Sequence, residues 1–289
     1  MSLPFPAFHF SPGSSPWVFV ASAGACILYA AAGMVRDSPM SSPEASPPVP
    51  PGPRWGKVGV WFWAAWVLHA MALLLGLYEA WGTVAKFGFA PALSATAWMV
   101  LAVYGVESCV LPLTEARRVL VWLAFSGVIL AWFFPGEVIP HVSVWSPVHW
   151  GLGIASYGLF GAAILHAVWL DRAERAMRQK ATSWRTTGLP LLQLERLTFR
   201  FVEAGFMTLT AALVLGWVVS TVWRWDHKTV FSMLAWAVFA ALLMGRYTLG
   251  WRGAQATRWL YAGTGLLFLS YAGSRFVLEV LILPHGPGL

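Results

Sequence analysis

The sequence Gly216-Trp-Val-Val-Ser-Thr-Val-Trp-Arg-Trp-Asp-His-Lys-Thr-Val-Phe-Ser232 lies between two long apolar runs, at 200–223 and 230–249. Each run is long enough to cross about 30 Å of hydrocarbon as a helix, so the polar centre of this stretch predicts a tight loop at the membrane surface. We call the stretch the Trp-rich loop. Its indole rings either stack on a flat amphipathic molecule or belong to an interfacial aromatic belt.

The composition of the whole chain extends this interpretation. Of 289 residues, 58% are hydrophobic and only 11% are charged, whereas a soluble domain carries about 25% charged residues. Apolar runs of about 20 residues recur along the chain, which predicts an all-α polytopic membrane protein with a bundle of about eight transmembrane helices. The predicted spans are 17–35, 59–78, 91–111, 118–134, 148–170, 200–223, 230–249 and 259–281.

The basic residues indicate the orientation of these spans. They concentrate in alternate connections, at 36–57, 117–118, 172–200 and 246–258, and are sparse in the others. By the positive-inside rule the basic connections are cytoplasmic, so the Trp-rich loop and both termini face outward, an N-out and C-out topology. The net charge of +7 is explained by this topology, and we expect the lipid bilayer rather than nucleic acid as a partner.

The segment 36–57 divides the chain. Its Ser- and Pro-rich composition predicts a disordered cytoplasmic linker. The linker separates 1–35, an N-terminal segment with the first transmembrane helix, from a transmembrane domain at 58–289. We therefore expect the first helix to pack loosely. No Lys or Arg precedes Pro16, so the basic start of a signal peptide is missing and the first helix is expected to be retained.

Two cytoplasmic pieces flank the connection between the fifth and sixth spans. The sequence from Asp171 to Arg178 predicts an extension of the fifth helix. The sequence from Leu192 to Phe199 predicts a short amphipathic turn on the membrane surface. The basic residues between them are interpreted as topological anchors.

Histidines are the candidate metal ligands. The predicted topology places four of them on the outward side with the Trp-rich loop: His141, His149, His227 and His285. Neutral imidazole is a good ligand for haem iron, and two imidazoles on opposite faces of a porphyrin complete its axial coordination. Ser156 lies two turns deeper than His149 on the same helix face. These observations favour a haem site at the outer surface.

Two further histidines lie within predicted spans. His69 is in the middle of the second span, where an ionisable side chain is costly and is by default a functional candidate. It is either an imidazole ligand for a metal centre or a hydrogen-bonded helix contact, and the sequence does not separate these alternatives. His166 is interpreted as an interfacial polar residue near the cytoplasmic end of the fifth helix.

At these positions the sequence resembles a known family. The residues that carry the resemblance are Trp223, Arg224, Trp225, Asp226 and Lys228, with Phe231 and Trp236 beyond them. They resemble the WWD signature of the cytochrome c assembly proteins, the CcsA/CcmC type of haem-handling membrane protein. The run 148–157 is similar to the family helix with an outer histidine, and 250–275 to its final segment, especially in the YpjD/HemX-like branch. The resemblance covers roughly 55–289.

The resemblance implies a site and a function. It implies that His149 and His285 hold haem iron, with His141 as a substitute, while Trp223 and Trp225 stack on the porphyrin. Asp226 and Arg224 would order the loop. The protein would bind or relay b-type haem, transiently or substoichiometrically, at the outer face of a bacterial inner membrane. Its partners would be apocytochrome c or other maturation proteins, and we expect no catalytic residues and no enzyme activity.

The signature also departs from the family pattern. Val219-Ser220 replaces its first Trp-Gly, and Asp226-His227-Lys228-Thr229 replaces Asp-Pro-Lys-Glu. These differences keep a second hypothesis open, a structural or regulatory membrane factor that retains the fold without binding haem.

Overall fold

The computed structural model describes residues 16–35, 57–78, 84–108, 114–140, 144–178, 191–219 and 225–277. Within these ranges the chain is almost entirely helical. The helices are α1 (Pro16–Met34), α2 (Lys57–Tyr78), α3 (Phe89–Ser108), α4 (Thr114–Phe133), α5 (Ser146–Arg178), α6 (Leu191–Val219), α7 (His227–Thr248), α8 (Gly253–Phe268) and α9 (Ser274–Phe276). The predicted linker lies outside the described residues, except that Lys57 already begins α2.

The helices confirm the prediction of an all-α polytopic membrane protein. In the described part of the chain, α1 to α7 are long and apolar enough to cross a bilayer. The eighth predicted span corresponds to α8 and α9, which are joined by a π-helical turn at Leu269–Gly273. This turn shortens α8 to 16 residues without ending the helix.

Two short strands were not predicted. β1 (Val84–Phe87) pairs antiparallel with β2 (Glu137–Pro140), so that Val84 lies opposite Pro140. β1 directly precedes α3, and β2 lies shortly before α5. The pairing therefore holds the beginnings of these two helices close together, at one end of the bundle.

The first half of the bundle is a filled core. α1 packs against α2 and α4, and the side chains of Ala25, Tyr29 and Ala32 are completely buried in that core. A Cβ atom at Gly24 would lie only 2.9 Å from Leu68 Cδ1, which shows how closely α1 approaches α2. The expectation of a loosely packed first helix is therefore wrong, because small residues let α1 approach its neighbours closely.

The second half is built from α5 to α8 around a stacked aromatic pair. The rings of Phe160 and Phe239 are 3.8 Å apart between centroids and inclined by 6°. Gly205 of α6 and Gly263 of α8 face these rings, and a Cβ atom at either position would come within 3.0 Å of them. The two glycines thus let four helices close around one aromatic layer.

Polar contacts join α5 and α8 at the end of the bundle with most of the described basic residues. Asp171 accepts hydrogen bonds from Tyr261 Oη at 2.8 Å and Thr257 Oγ1 at 3.0 Å. Asp171 belongs to the helical extension of α5 to Arg178, which confirms the predicted extension.

The prediction of a separate surface turn at 192–199 is wrong. α6 is one continuous helix from Leu191, because Glu195 has tertiary partners that hold this first part upright. Its carboxylate accepts hydrogen bonds from Arg252 Nε, at 3.0 Å, and from the Arg246 guanidinium. Arg246 also lies 4.0 Å above the ring centroid of Phe199.

Candidate functional site

A cavity of about 380 Å³ lies at the opposite end of the second half. Its walls come from α3, α5, α6, α7 and the end of α8 with its π-helical turn. Most of the lining is apolar, and polar side chains enter at a limited number of points, among them His149, Tyr157, Asp226, Lys228, Thr229, Ser232 and Ser270. An apolar concavity of this size with few polar groups is the usual form of a small-molecule site.

His149 is the imidazole of this cavity. It lies in the first turn of α5, where Pro147 is tolerated because the first amides of a helix have no intrahelical acceptor. Its Nδ1–H donates to the Ala212 carbonyl at 3.0 Å. This bond fixes the tautomer and leaves Nε2 as the atom with a lone pair. Histidines that bind metals characteristically donate a hydrogen bond from the N–H of the other ring nitrogen to a carbonyl in this way.

Gly216 makes the position of the His149 ring possible. A Cβ atom at Gly216 would lie 3.0 Å from His149 Cε1. Ala212 and Gly216 are one turn apart on α6, so two small residues form the surface on which the imidazole rests. The close approach of α6 therefore defines where Nε2 can point.

Asp226 organises the end of the Trp-rich loop. It is the N-cap of α7, and its Oδ1 accepts the Thr229 N–H at 2.8 Å. Partial burial raises the pKa of this carboxyl, but the hydrogen bonds from Thr229 and the charges of Lys228 and His227 outweigh burial and lower it. Asp226 is thus held as a carboxylate that begins α7 beside the cavity.

Lys228 brings a positive charge to the rim of the cavity. Its Nζ lies 5.4 Å from the centroid of the Tyr271 ring, within the range of a cation–π contact. Tyr271 belongs to the π-helical turn and also lines the cavity. The side chain of Lys228 therefore extends from α7 along the cavity towards the last helix.

The π-helical turn is held by Tyr157 of α5. The Tyr157 hydroxyl donates to the Leu267 carbonyl and lies 3.1 Å from Ser270 Oγ, which donates to the same carbonyl at 2.7 Å. A π-helical turn is unusual and is frequently found at functional sites. Here it brings Ser270 and Tyr271 to the cavity wall.

His69 lies outside this cavity, in the core of the first half. It is 1% exposed, with Nδ1 3.2 Å from Tyr29 Oη and Nε2 2.8 Å from Ser94 Oγ. Both ring nitrogens are therefore engaged by α1 and α3. Of the two alternatives for His69, this geometry favours the hydrogen-bonded helix contact.

His166 is also a core residue, and its interpretation as an interfacial residue is wrong. It is completely buried, its Nδ1–H donates to the Ala162 carbonyl at 2.8 Å, and Nε2 lies 3.1 Å from Glu107 Oε2. Glu107 of α3 thus lies beside the ring, and His166 is a contact between α5 and α3 that does not line the cavity.

The structure brings two predicted site residues to the cavity, His149 and Asp226. Trp225 is described but is 70% exposed and does not line the cavity. Four predicted residues lie outside the described residues: His141, Trp223, Arg224 and His285. Their roles in the site stay predictions. In the part of the chain that is described, no group of three or more His, Cys, Asp or Glu side chains is arranged to hold a metal ion.

Several residues of the site were not identified from the sequence, among them Tyr157, Ser270 and the Ala212 carbonyl. One signal was present, since His149, Gly153, Ser156 and Tyr157 follow the i, i+4, i+7, i+8 spacing of one helix face. All four line the cavity. The predicted placement of Ser156 on the His149 face is confirmed.

Comparison with known proteins gives one family match. The model of a family described as "Cytochrome C assembly protein" matches residues 58–282. That match includes every described element from α3 to α9 and nearly all of α2.

Individual relatives cover smaller parts of the chain. "Inner membrane protein YpjD" of Escherichia coli strain K12 is 32% identical over 164 residues, 55% of this chain and 62% of YpjD. An "Uncharacterized 28.8 kDa protein" of Azospirillum brasilense is 30% identical over 145 residues, covering 48% of this chain and 54% of that protein. "Cytochrome c biogenesis protein CcsA" of Synechococcus sp. strain JA-3-3Ab is 32% identical over 101 residues, 31% of this chain and 29% of CcsA.

The chain thus spans less than two thirds of the length of these curated relatives. No solved structure matches it significantly.

Proposed function

Because the chain belongs to the cytochrome c assembly protein family, we propose that it binds haem in the His149 cavity and takes part in cytochrome c assembly. The haem would be of b type and held transiently or substoichiometrically. The protein would lie in a bacterial inner membrane, as the name of its relative "Inner membrane protein YpjD" states for that relative. Its partners are then apocytochrome c or other maturation proteins.

The observation that carries the proposal is the one-sided hydrogen bonding of His149. Nδ1 is fixed by the Ala212 carbonyl, while Nε2 has no protein partner among the described residues. The lone pair of Nε2 is therefore in a position to bind a ligand atom that accepts it. Haem iron is such an atom.

The surroundings of His149 also suit a porphyrin. The cavity walls are mainly apolar, and Tyr157 and Ser270 place hydroxyl groups at one side. Apart from Lys228, the basic residues of α5, α7 and α8 lie towards the far end of these helices, so the positive-inside rule turns the cavity outward. A molecule held there is presented on the side that the predicted topology assigns to the Trp-rich loop.

In this proposal the residues of the cavity bind and orient haem and take no part in a chemical step. His149 would hold the iron, Ala212 would fix the tautomer of His149, and Asp226 would anchor the start of α7 at the rim. Bound haem would supply the group that becomes attached to a cytochrome. No side chain of the cavity is assigned proton transfer, in keeping with a protein that is not an enzyme.

The test is an absorption spectrum of the full-length protein purified in detergent from haem-replete cells. We expect a Soret band in the parent protein and its loss in His149→Ala. The matched control is His227→Ala, since His227 is exposed, lies next to Asp226 and does not line the cavity. His285→Ala tests the second predicted ligand in the same preparation.

Two results would contradict the proposal. Absence of a Soret band from the parent, also after addition of haemin, would favour the structural or regulatory factor, to which the departures of the signature point. A band that persists in His149→Ala and disappears in His69→Ala would place the haem in the first half of the bundle.

A further inference from the structure

We propose that Lys228 binds a carboxylate of the molecule held in the cavity, and so fixes which edge of a haem faces α7. This inference rests on the proposed function and adds a recognition element to it. Haem is an apolar macrocycle with two carboxylates on one edge. A site that orients it needs a cation at one side of an apolar wall.

The position of Lys228 meets this requirement. It lies in the first turn of α7, lines the cavity and places Nζ 5.4 Å from the Tyr271 ring centroid. His149 lines the same cavity. One ammonium group therefore lies at the cavity that contains the proposed iron ligand and against the wall formed by Tyr271.

The distribution of charge around the cavity supports a carboxylate at this place. Among the described residues that line the cavity, Asp226 is the acidic one, and its Oδ1 is engaged by Thr229 in the N-cap. An ammonium group has three donors, so a contact with Tyr271 or with another neighbour leaves capacity for a ligand oxygen. The other walls are made by residues such as Leu209, Leu213 and Leu267, which would face the apolar edge of the macrocycle.

The exposed position of Lys228 is consistent with this assignment. Lys228 is exposed at the membrane end of α7, so a carboxylate bound there keeps part of its hydration. A charged group buried among the leucines at the other side would lose that hydration at a high cost. Both sides of the cavity therefore favour the same orientation.

The experiment compares two probes, haemin and haemin dimethyl ester, in which both carboxylates are blocked. Full-length protein in detergent is titrated with each probe, and the Soret change gives the dissociation constant. We expect Lys228→Gln to weaken haemin binding roughly fivefold, the effect of one exposed ion pair. Binding of the ester should be unchanged, and Lys228→Arg should retain most of the haemin affinity.

A matched variant controls for net charge. Arg258→Gln removes one positive charge from an exposed position of α8 far from the cavity, and both probes should bind it as they bind the parent. Raising the salt concentration should reduce the difference between parent and Lys228→Gln for haemin alone.

Three results would overturn the inference. If Lys228→Gln binds haemin as the parent does, Lys228 contacts no carboxylate, while the haem site itself stands. If Lys228→Gln weakens binding of haemin and of the ester equally, Lys228 affects the shape of the cavity and does not recognise a carboxylate. If the parent binds neither probe, the proposed function fails and the carboxylate contact fails with it.

Discussion

His69 in the first half of the bundle and His149 in the second half differ in how their ring nitrogens are used. In the first half, α1 to α4, both nitrogens of His69 bond to side chains of other helices. In the second half, α5 to α8, only Nδ1 of His149 has a described protein partner, and the ring borders a cavity. The first arrangement joins helices, whereas the second keeps a nitrogen available for a ligand.

Tryptophans of the two halves differ in exposure. Trp66 and Trp98 stack at 4.6 Å between centroids, and each indole N–H donates to the backbone carbonyl of the other residue at 3.1 Å. Trp225, beside the cavity end of α7, is largely exposed. The indole nitrogens of Trp66 and Trp98 are therefore used within the protein, which makes these two rings structural contacts between α2 and α3.

The largest effect is expected from His69→Ala, which tests the structural role of His69. His69→Ala leaves the hydroxyls of Tyr29 and Ser94 without their partner in a buried place, and also leaves a void. We expect a loss of about 3 kcal/mol in stability, with haemin binding per folded protein unchanged. Thermal unfolding in detergent and a Soret titration measure the two quantities. Loss of haemin binding at unchanged stability would break the comparison between the two halves.

The next effect concerns the surface beneath His149. Gly216→Ala adds a methyl group 3.0 Å from His149 Cε1, so it must displace the ring. We expect haemin affinity to fall about tenfold, as when the residue orienting a metal ligand is disturbed. Alanine is the better helix former, which offsets part of the strain in stability. The control is Gly151→Ala, since a Cβ atom at Gly151 meets nothing within 4 Å; equal affinity losses in both variants would refute the steric explanation.

A smaller effect is expected from removing a tyrosine hydroxyl at either end of the second half of the bundle. Tyr157→Phe and Tyr261→Phe each remove one hydroxyl that joins α5 to α8, at the cavity end and at the basic end. Each should cost about 1 kcal/mol of stability. Only Tyr157→Phe should also weaken haemin binding, because Tyr157 holds the π-helical turn. If both variants bind haemin equally well in a Soret titration, the π-helical turn does not contribute to haemin binding.

The smallest effect is that of the Asp226 charge. Asp226→Asn keeps a good N-cap but loses the negative charge near the helix N-terminus, which should cost about 0.5 kcal/mol at neutral pH. The folded state lowers the pKa of Asp226, so this contribution is present above the ordinary carboxyl pKa and is lost as the pH falls through the lowered value. Unfolding midpoints of parent and variant should therefore converge in acid; a constant difference would assign the effect to another cause.

The sequence predicted the spans well because apolar length alone determines them. It could not predict the pairing of β1 with β2, since each strand has four residues and its partner is about 50 positions away. It also missed the upright start of α6, because the partners of Glu195 come from α7 and the loop after it. These features depend on tertiary contacts that no local pattern contains.

For the site, the sequence identified His149 by its type and expected side of the membrane, and Asp226 through the family resemblance. It could not identify Ala212, because the contact is made by a backbone carbonyl. The exposed position of Trp225 likewise follows from how α7 begins, at an N-cap that places this residue before the helix. Residue type suggested that His149 could bind a metal, and the packing of α6 against α5 determined where its free ring nitrogen lies.

The stacked rings of Phe160 and Phe239 have one more consequence. Phe160 lies about one turn deeper than Tyr157, and Phe239 two turns deeper than Ser232, so the aromatic layer lies beneath residues that line the cavity. The close stacking of the two rings leaves little room for a ligand of the cavity to pass between them. The rate at which a bound ligand dissociates from the cavity would then limit how often the cavity can be filled again.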